Sequence, residues 1–597
     1  MRYLKNSKVT EYVLMIMILY CQHIQLIYSA SVNIRYCLSM DVRLQLLNTA
    51  IAAIPFLLLV LITGRKGLSL IVSSIIVTVI SLINYHVFLY HGTPFLASDI
   101  YNVTTAVTVL SGYKVVFDKM VVRLLAVTAA ESVLIVLYYL FRTEQKINQS
   151  RKISAGLILA DAVMLWLIFF SKWTLYPSSL ISWSWAKPMR KYGYEVCFVN
   201  SIRTASAKFN MIDGYDAEIL KGYLDDRDDE VSLDHYPDII LILNETLCNL
   251  EYCSGIPEGA EVLESIDSIP GIISGYTTVP LIGGGTNCSE FELLTSDSVY
   301  QISAASPFAA LEMAEINNAV KYLKSFGYHT AAMHCFSETG YNRNNAYPAM
   351  GFDEVYLGEK HFTYNRNGNR EWLDADNYSD MLKICQEAGD DSPEFMYLLT
   401  YQNHGGYEQN DASMDTVEVK GNYGQATDDT NEYLSSLKLS AEAFASLISE
   451  LSASERDTVV LMVGDHAPSF ITELPCASHD GIDGSVIQRT VPYYIWSNFD
   501  LNQDALTEFS TMTDLMPMMS EAAGIPCSPY FNLLNELRKE VPVRTSDGLY
   551  LDQNGNAVKY AEGEKYYGLI RDYYYMEYNG LTHGDDYLEG LFRSQIN

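Results

Sequence analysis

Five long apolar runs crowd the first 172 residues, at about 13–27, 46–63, 68–90, 121–141 and 156–170. A run near the ~20 residues that span a bilayer is stable there only as a helix, which satisfies its own backbone. The runs predict an N-terminal domain of five transmembrane helices over residues 1–172. A cleaved signal peptide accounts for the first run alone, and four more follow it.

Charge divides the chain at the same place. Residues 1–172 hold 15 Lys+Arg against 7 Asp+Glu, so the remainder holds 25 against 65, a balance of −40 within the total of −32. So acidic a second part excludes nucleic acid as a partner held by general charge. Basic residues set the orientation. Arg2, Lys5 and Lys8, then Arg65 and Lys66, then Arg142, Lys146, Arg151 and Lys152 share one side if there are five spans. The N-terminus is then cytoplasmic and everything after about residue 172 is outside, anchored to a multi-pass membrane domain. Glu131 and Asp161 fall inside the expected spans, where a charge is costly. Ten scattered cysteines do not make a disulfide scaffold, although Cys248 and Cys253 are close enough in sequence to pair. Ala205-Ser206-Ala207 resembles a signal-peptidase site, but stands far from the last run.

Residues 173–234 read as a helical extracellular linker ending in the charged LDDRDDE. From 235 the texture changes to short apolar runs separated by helical segments. The runs are 236–246, 329–336, 394–404, 457–466 and 491–498. Continuous runs of this length fit strands buried on both faces, and the alternation predicts an α/β domain over 235–535 with a mainly parallel sheet. The last segment, 536–597, is Tyr-rich with hairpin-like turns and reads as an appended tail.

Glu245, His334, His404, Asp465 and His466 all stand at or near the C-terminal ends of these runs. That edge of an open α/β sheet is where ligands bind. Glu245, Asp465 and His466 supply two carboxylates and an imidazole, a set suited to Mg or Mn where oxygen dominates and to Zn where nitrogen does. In LIGGGTNCSEFELLTS (281–296) three glycines run into Thr286. One account is a turn closed by a helix N-cap. The other makes Thr286 a fourth metal ligand and a nucleophile activated by the ion, with the glycines letting backbone approach a phosphate.

The motifs LNET, GGTNCSEFELL, MHCFSETGYNRN, YQNHGGY and VGDHAPS, in this order, resemble the lipoteichoic acid synthase-like phosphoglycerol transferases of the sulfatase and alkaline phosphatase superfamily. The segment GTPFLASDIYN (92–102) also looks like that family's loop between the third and fourth spans. The resemblance implies an extracellular sulfatase-like domain binding one manganese-type ion (or Mg2+) through Glu245, Thr286, Asp465 and His466. It makes Thr286 the nucleophile and His404 an acid–base group near the phosphate. Arg343, His334 and Tyr341 would line the substrate site. The implied donor is phosphatidylglycerol, and the acceptor a lipoteichoic acid chain on a glycolipid or another envelope glycan, at a Gram-positive cell membrane. Two departures stand out. Tyr341 replaces the family's tryptophan, and Cys335-Phe336 replaces a Gly-Asn pair. A phosphoethanolamine transferase shares the fold and the threonine. A sulfatase needs a Cys or Ser within a C-x-P-x-R-type motif, and Cys288 has neither the Pro nor the Arg.

Overall fold

The computed structural model describes residues 8–29, 40–91, 94–97, 117–140, 189, 191–205, 209, 212 and 214–225. It also describes 235–593, apart from 303–305, 339, 368–369, 389–391, 408–415, 425, 479–481 and 546–547. The chain forms two compact units, 1–100 with 115–206, and 101–114 with 207–597.

In the first unit, four helices among the described residues are long and apolar enough to cross a membrane: Val9–Ser29, Val42–Thr63, Lys66–Phe88 and Lys119–Tyr139. The second is broken at Ala53, just before Pro55, which cannot donate into a continuing helix. The expected fifth run at 156–170, with Asp161, lies outside the described residues, as does most of the 92–102 loop. Polar side chains between these helices pair with one another: Gln22 donates to Ser74 Oγ at 2.9 Å, Gln25 to Thr78 Oγ1 at 3.0 Å and Asn84 to Ser29 Oγ at 2.8 Å. Helix Tyr194–Ala205, from the expected linker, belongs to this unit, where the Tyr192 carbonyl accepts from Asn48 at 2.8 Å.

The second unit is built on an eight-stranded sheet. Its strands are β1 (Asp238–Asn244), β2 (Ile273–Thr278), β3 (His329–His334), β4 (Glu354–Leu357), β7 (Glu394–Leu399), β8 (Thr458–Gly464), β9 (Thr490–Ser497) and β10 (Phe509–Thr511). A separate two-stranded hairpin joins β5 (Arg366–Asn367) to β6 (Arg370–Glu371). The sheet order is β10-β2-β9-β8-β1-β7-β3-β4. β9 alone runs antiparallel to its neighbours. The five apolar runs became β1, β3, β7, β8 and β9. The mainly parallel sheet expected from them is present, and β2, β4 and β10 are added at its margins. Strand β1 is central and paired on both sides, which is why ILIL can be buried on both faces. Helix Ala426–Leu451 covers it with Tyr433, Leu434, Leu437, Ala441, Phe444 and Leu447, a helical spacing that buries one stripe. The stretch 310–327, helical in pattern, forms only a short helix at Ala319–Lys324, because Asn318 caps it by accepting from Lys321 N.

Beyond 535 the chain adds a small three-stranded sheet, β11 (Val543–Arg544), β12 (Tyr550–Leu551) and β13 (Ala557–Val558), and helix Tyr567–Thr582. This helix is not loose. Its Tyr575 hydroxyl donates to Gly214 O, and its Asp572 accepts from Tyr223 at 2.9 Å, so part of the expected linker and the tail pack together.

Candidate active site

Parallel strands β1 and β8 lie side by side with Asn244 opposite Gly464, so the residues that follow each strand emerge together. Glu245, Asp465 and His466 are all buried, and one ligand atom from each lies within 4.8 Å of the others. Asp465 Oδ1 is fixed by two backbone amides, Thr246 N at 2.7 Å and His466 N at 2.8 Å. Its Oδ2 is buried with no hydrogen-bond partner. Thr246 holds a φ of 56°, costly for a β-branched residue, and its hydroxyl donates to Glu245 Oε1 at 2.9 Å. His466 Nδ1 donates to Ala467 O at 3.1 Å. In the neutral ring that leaves the Nε2 lone pair 3.2 Å from Asp465 Oδ2 and 3.7 Å from Glu245 Oε1. Burial, and then the Asp465 carboxylate, push Glu245 well above the usual carboxylate range. Lone pairs that converge in the interior repel one another, and a divalent cation held among them removes that cost. The donor set fits such an ion.

The glycine run reaches this cluster from the side. Gly283, Gly284 and Gly285 have φ of 72°, 149° and 83°, a succession open only to glycine, and a Cβ on Gly283 would stand 2.7 Å from Ser469 Cα. Gly283 N donates to Ala467 O at 2.9 Å, the carbonyl that also orients His466. Gly285 is the N-cap of helix Thr286–Thr295, and Thr286 is its first residue. The hydroxyl of Thr286 therefore does not cap the helix, and it makes no hydrogen bond among the described residues. Ser289, one turn on, donates to Asp465 O at 2.6 Å, tying this helix to the end of β8.

Arg343 is buried beside the cluster. Its Nη2 lies 2.6 Å from Glu290 Oε2, and its Nε also donates to Glu290. Tyr347 and Tyr397 donate to the same carboxylate, Tyr397 at 3.2 Å. Burial would lower the Arg343 pKa, but Glu290 outweighs it and holds the guanidinium charged above its ordinary value. The Arg343 Cζ sits 5.1 Å from the Tyr341 ring, and Nη1 has no hydrogen-bond partner among the described residues. His334 donates from Nδ1 to Leu399 O at 3.1 Å. Burial, and then Arg343, hold its pKa well below the ordinary value, so it is neutral with Nε2 free to accept. His404 stacks on Tyr401, and its carbonyl accepts from Arg370 Nη1 at 2.9 Å.

The structure thus gathers Glu245, Asp465 and His466 into one cluster, brings the Thr286 helix against it, and sets Arg343, His334 and His404 around it. It adds supports that the motifs did not announce. Glu290 anchors Arg343; its signal was an acidic residue one turn into an otherwise buried helix. Arg370, paired with the buried Glu432, holds the His404 loop. Asp374, pushed by burial up to about 6, binds Asn244 and Ser440 behind β1. Cys248 and Cys253 stand as buried thiols with sulfurs 3.7 Å apart.

Residues 238–525 match the Sulfatase family model. A Rhizobium meliloti protein named for cyclic beta-1,2-glucan modification is 26% identical over 278 residues, covering 44% of this chain and 42% of that protein. Lipoteichoic acid synthase 2 of Bacillus subtilis is 21% identical over 280 residues, again 44% of this chain and 42% of the relative. The chain therefore spans about two-fifths of the length of these two curated relatives. The Streptococcus pyogenes phosphoglycerol transferase GacH, solved with sn-glycerol-1-phosphate, superposes with a TM-score of 0.52 at 20% identity, covering 65% of this chain and 100% of that one. That likeness shows a shared fold.

Proposed function

With residues 238–525 forming a sulfatase-family domain, we propose that the chain is a membrane-anchored phosphoglycerol transferase. It takes glycerol phosphate from phosphatidylglycerol, carries it on Thr286, and passes it to a lipoteichoic acid chain or another envelope glycan. The observation that carries this reading is the unpartnered Thr286 hydroxyl at the first turn of a helix held against the carboxylate–imidazole cluster. The names of the curated relatives, glucan modification and lipoteichoic acid synthesis, support an envelope polymer as acceptor.

Glu245, Thr286, Asp465 and His466 would hold one Mn2+ or Mg2+, which when bound lowers the pKa of the threonine hydroxyl and offsets phosphate charge. The chain's own residues supply the rest. Thr286 gives its proton to solvent and attacks phosphorus, forming an Oγ–P bond as the bond to diacylglycerol breaks. His404 gives the departing lipid alcohol its proton and later takes one from the acceptor hydroxyl. The acceptor oxygen then displaces Thr286, which regains a proton from solvent, while His404 is restored by the acceptor's proton. Arg343, kept charged by Glu290, turns its free Nη1 to the phosphate, and the first amides of the Thr286 helix add donors. Two half-reactions let a bulky lipid leave before a bulky acceptor arrives.

Mass spectrometry of the full chain after incubation with phosphatidylglycerol tests this, and a glycerophosphoryl adduct on Thr286 is expected. Sustained turnover by Thr286→Ala would overturn the covalent route. A phosphoethanolamine adduct from a mixed lipid pool would make the chain a phosphoethanolamine transferase instead. An extracellular catalytic domain also predicts that a cysteine placed at exposed Ser485 is labelled in intact cells.

A further inference from the structure

The family-like site has one wall of which the proposed chemistry uses only His404. Phe336 stacks on Tyr401 with ring centroids 4.2 Å apart and planes 12° apart, and Tyr401 stacks on His404 at 4.8 Å and 18°. All three rings are half-buried, so the stack is partly open. His334 meets Tyr401 edge-on at 6.4 Å, which places the stack beside the groups that would handle the acceptor hydroxyl. The β5–β6 hairpin adjoins it. Arg370 ties that hairpin to the His404 carbonyl, and Glu371 lies within electrostatic reach of Tyr401. On the hairpin's approach stands Tyr364, 48% exposed, packed edge-on against Trp372 at 4.7 Å and donating to Glu371 at 3.0 Å. A large ring held this rigidly in solvent, by a buried neighbour and a carboxylate, costs little further order when something lands on it.

We propose that the Phe336–Tyr401–His404 stack and Tyr364 form an acceptor subsite for the pyranose rings of a neutral glycan. This rests on the transferase reading above and narrows its acceptor. Flat aromatic faces match the C–H faces of sugar rings, and Glu371 is placed to take a sugar hydroxyl. The surroundings fit a polyphosphate chain poorly. Lys360 is paired with Glu338 at 2.8 Å, Arg366 stands opposite Glu371 in the hairpin, and Asp376 accepts from Asn365 alongside. Among the described residues no run of cations meets a repeating phosphate there. Phe336 supplies one end of the stack, where the resembling family has a Gly-Asn pair.

The test measures sugar binding without a donor lipid. Saturation-transfer NMR on the full chain in detergent, with a neutral β-linked gluco-oligosaccharide, is expected to show transfer to ring C–H protons. Phe336→Ala and Tyr364→Ala should each weaken binding by roughly 3- to 10-fold, and Phe336→Trp should retain it. In turnover assays the same alanine variants should raise the acceptor KM by a similar factor. Equal loss of kcat at every acceptor concentration would mark a structural role and overturn the subsite. So would absent binding, binding indifferent to both variants, or variant-sensitive binding of a glycerol phosphate oligomer in place of the sugar. Failure of the wild-type chain to release diacylglycerol would instead defeat the transferase reading, because the sugar measurement involves no donor.

Discussion

The helix Thr286–Thr295 has a cluster of buried acids at each end, and the two behave oppositely. At its N-terminus, Glu245 and Asp465 converge with His466, and Asp465 Oδ2 is left without a partner. At its C-terminus, Glu292, Asp297 and Glu577 are as deeply buried, and each accepts from donors. Glu577 Oε2, like Asp465 Oδ2, has no hydrogen-bond partner, but among the described residues these acids do not bring ligand atoms together as the first set does. Glu292 accepts from Ser298 Oγ at 3.1 Å and Val299 N at 3.0 Å, Asp297 from Tyr530 at 2.9 Å, and Glu577 from Tyr573 at 2.8 Å and from Ser298 N. Burial pushes Glu292 up to about 7 and Asp297 up to about 8. Neither burial nor a raised pKa therefore marks a metal site. What separates the first cluster is the convergence of one ligand atom from each of three side chains, the arrangement a divalent ion fits.

The largest effect should follow from breaking that convergence. Asp465→Ala is expected to lose both ion binding, read by calorimetry or elemental analysis, and all measurable transfer. Glu245→Gln should do the same while leaving the ion-free protein about as resistant to heat. Burial and the Asp465 carboxylate already hold Glu245 well above the usual carboxylate range, so the amide stands in for its neutral form. A Glu245→Gln protein that still bound a divalent ion stoichiometrically would dissolve the contrast between the two clusters. Chelation of the wild-type chain should silence it reversibly.

His404→Ala should come next, slowing transfer by about 10²–10⁴-fold, the range for lost proton transfer, with the ion still bound. Glu290→Gln follows. The Arg343–Glu290 pair is buried, and removing one partner of such a pair costs about 3–5 kcal/mol. Melting should register that loss, and the freed guanidinium should raise the KM for the donor lipid. An unchanged melting profile would mean that Arg343 is held by other contacts.

Much of this was legible in the sequence, and the reasons differ by residue. Strands β1, β7 and β8 were readable because central strands buried on both faces need unbroken apolar runs. Their C-terminal ends then put Glu245, Asp465 and His466 on one edge without further information. Strand β2, ISGYTT, carries no such run. It pairs with the antiparallel β9 nearer the sheet margin, and only the fold shows it. Glu290 was in plain view within GTNCSEFE, yet its partner Arg343 lies 53 residues on, a distance no local pattern bridges. The segment 536–597 read as a tail because tyrosine and turn residues dominate it. Its aromatic rings and hydroxyls are what dock it, with Tyr573 and the neighbouring Tyr530 serving the acid cluster.

The smallest expected effect concerns that second cluster and fixes the sign of its pH dependence. A carboxyl whose folded pKa is raised keeps its proton in the native state while the unfolded chain has already released it. Between the unfolded value near 4 and the folded value of about 8 for Asp297, the native protein binds more protons, so stability falls as pH rises through this window and levels off above it. Glu292 adds to the same slope up to about 7, and the groups facing the pair are Asp514 and Arg544, which are bound to each other, with Tyr530, Tyr573 and Glu577. Asp297→Asn keeps an acceptor for the Tyr530 hydroxyl and removes the titration. The variant should match wild type near pH 4 and exceed it near pH 8 by on the order of 1–3 kcal/mol, measured by denaturant unfolding at fixed ion concentration. Equal slopes for the two proteins would mean that Asp297 ionises in place. The far end of the Thr286 helix would then hold a true buried anion, and the two clusters would differ only in where their lone pairs point.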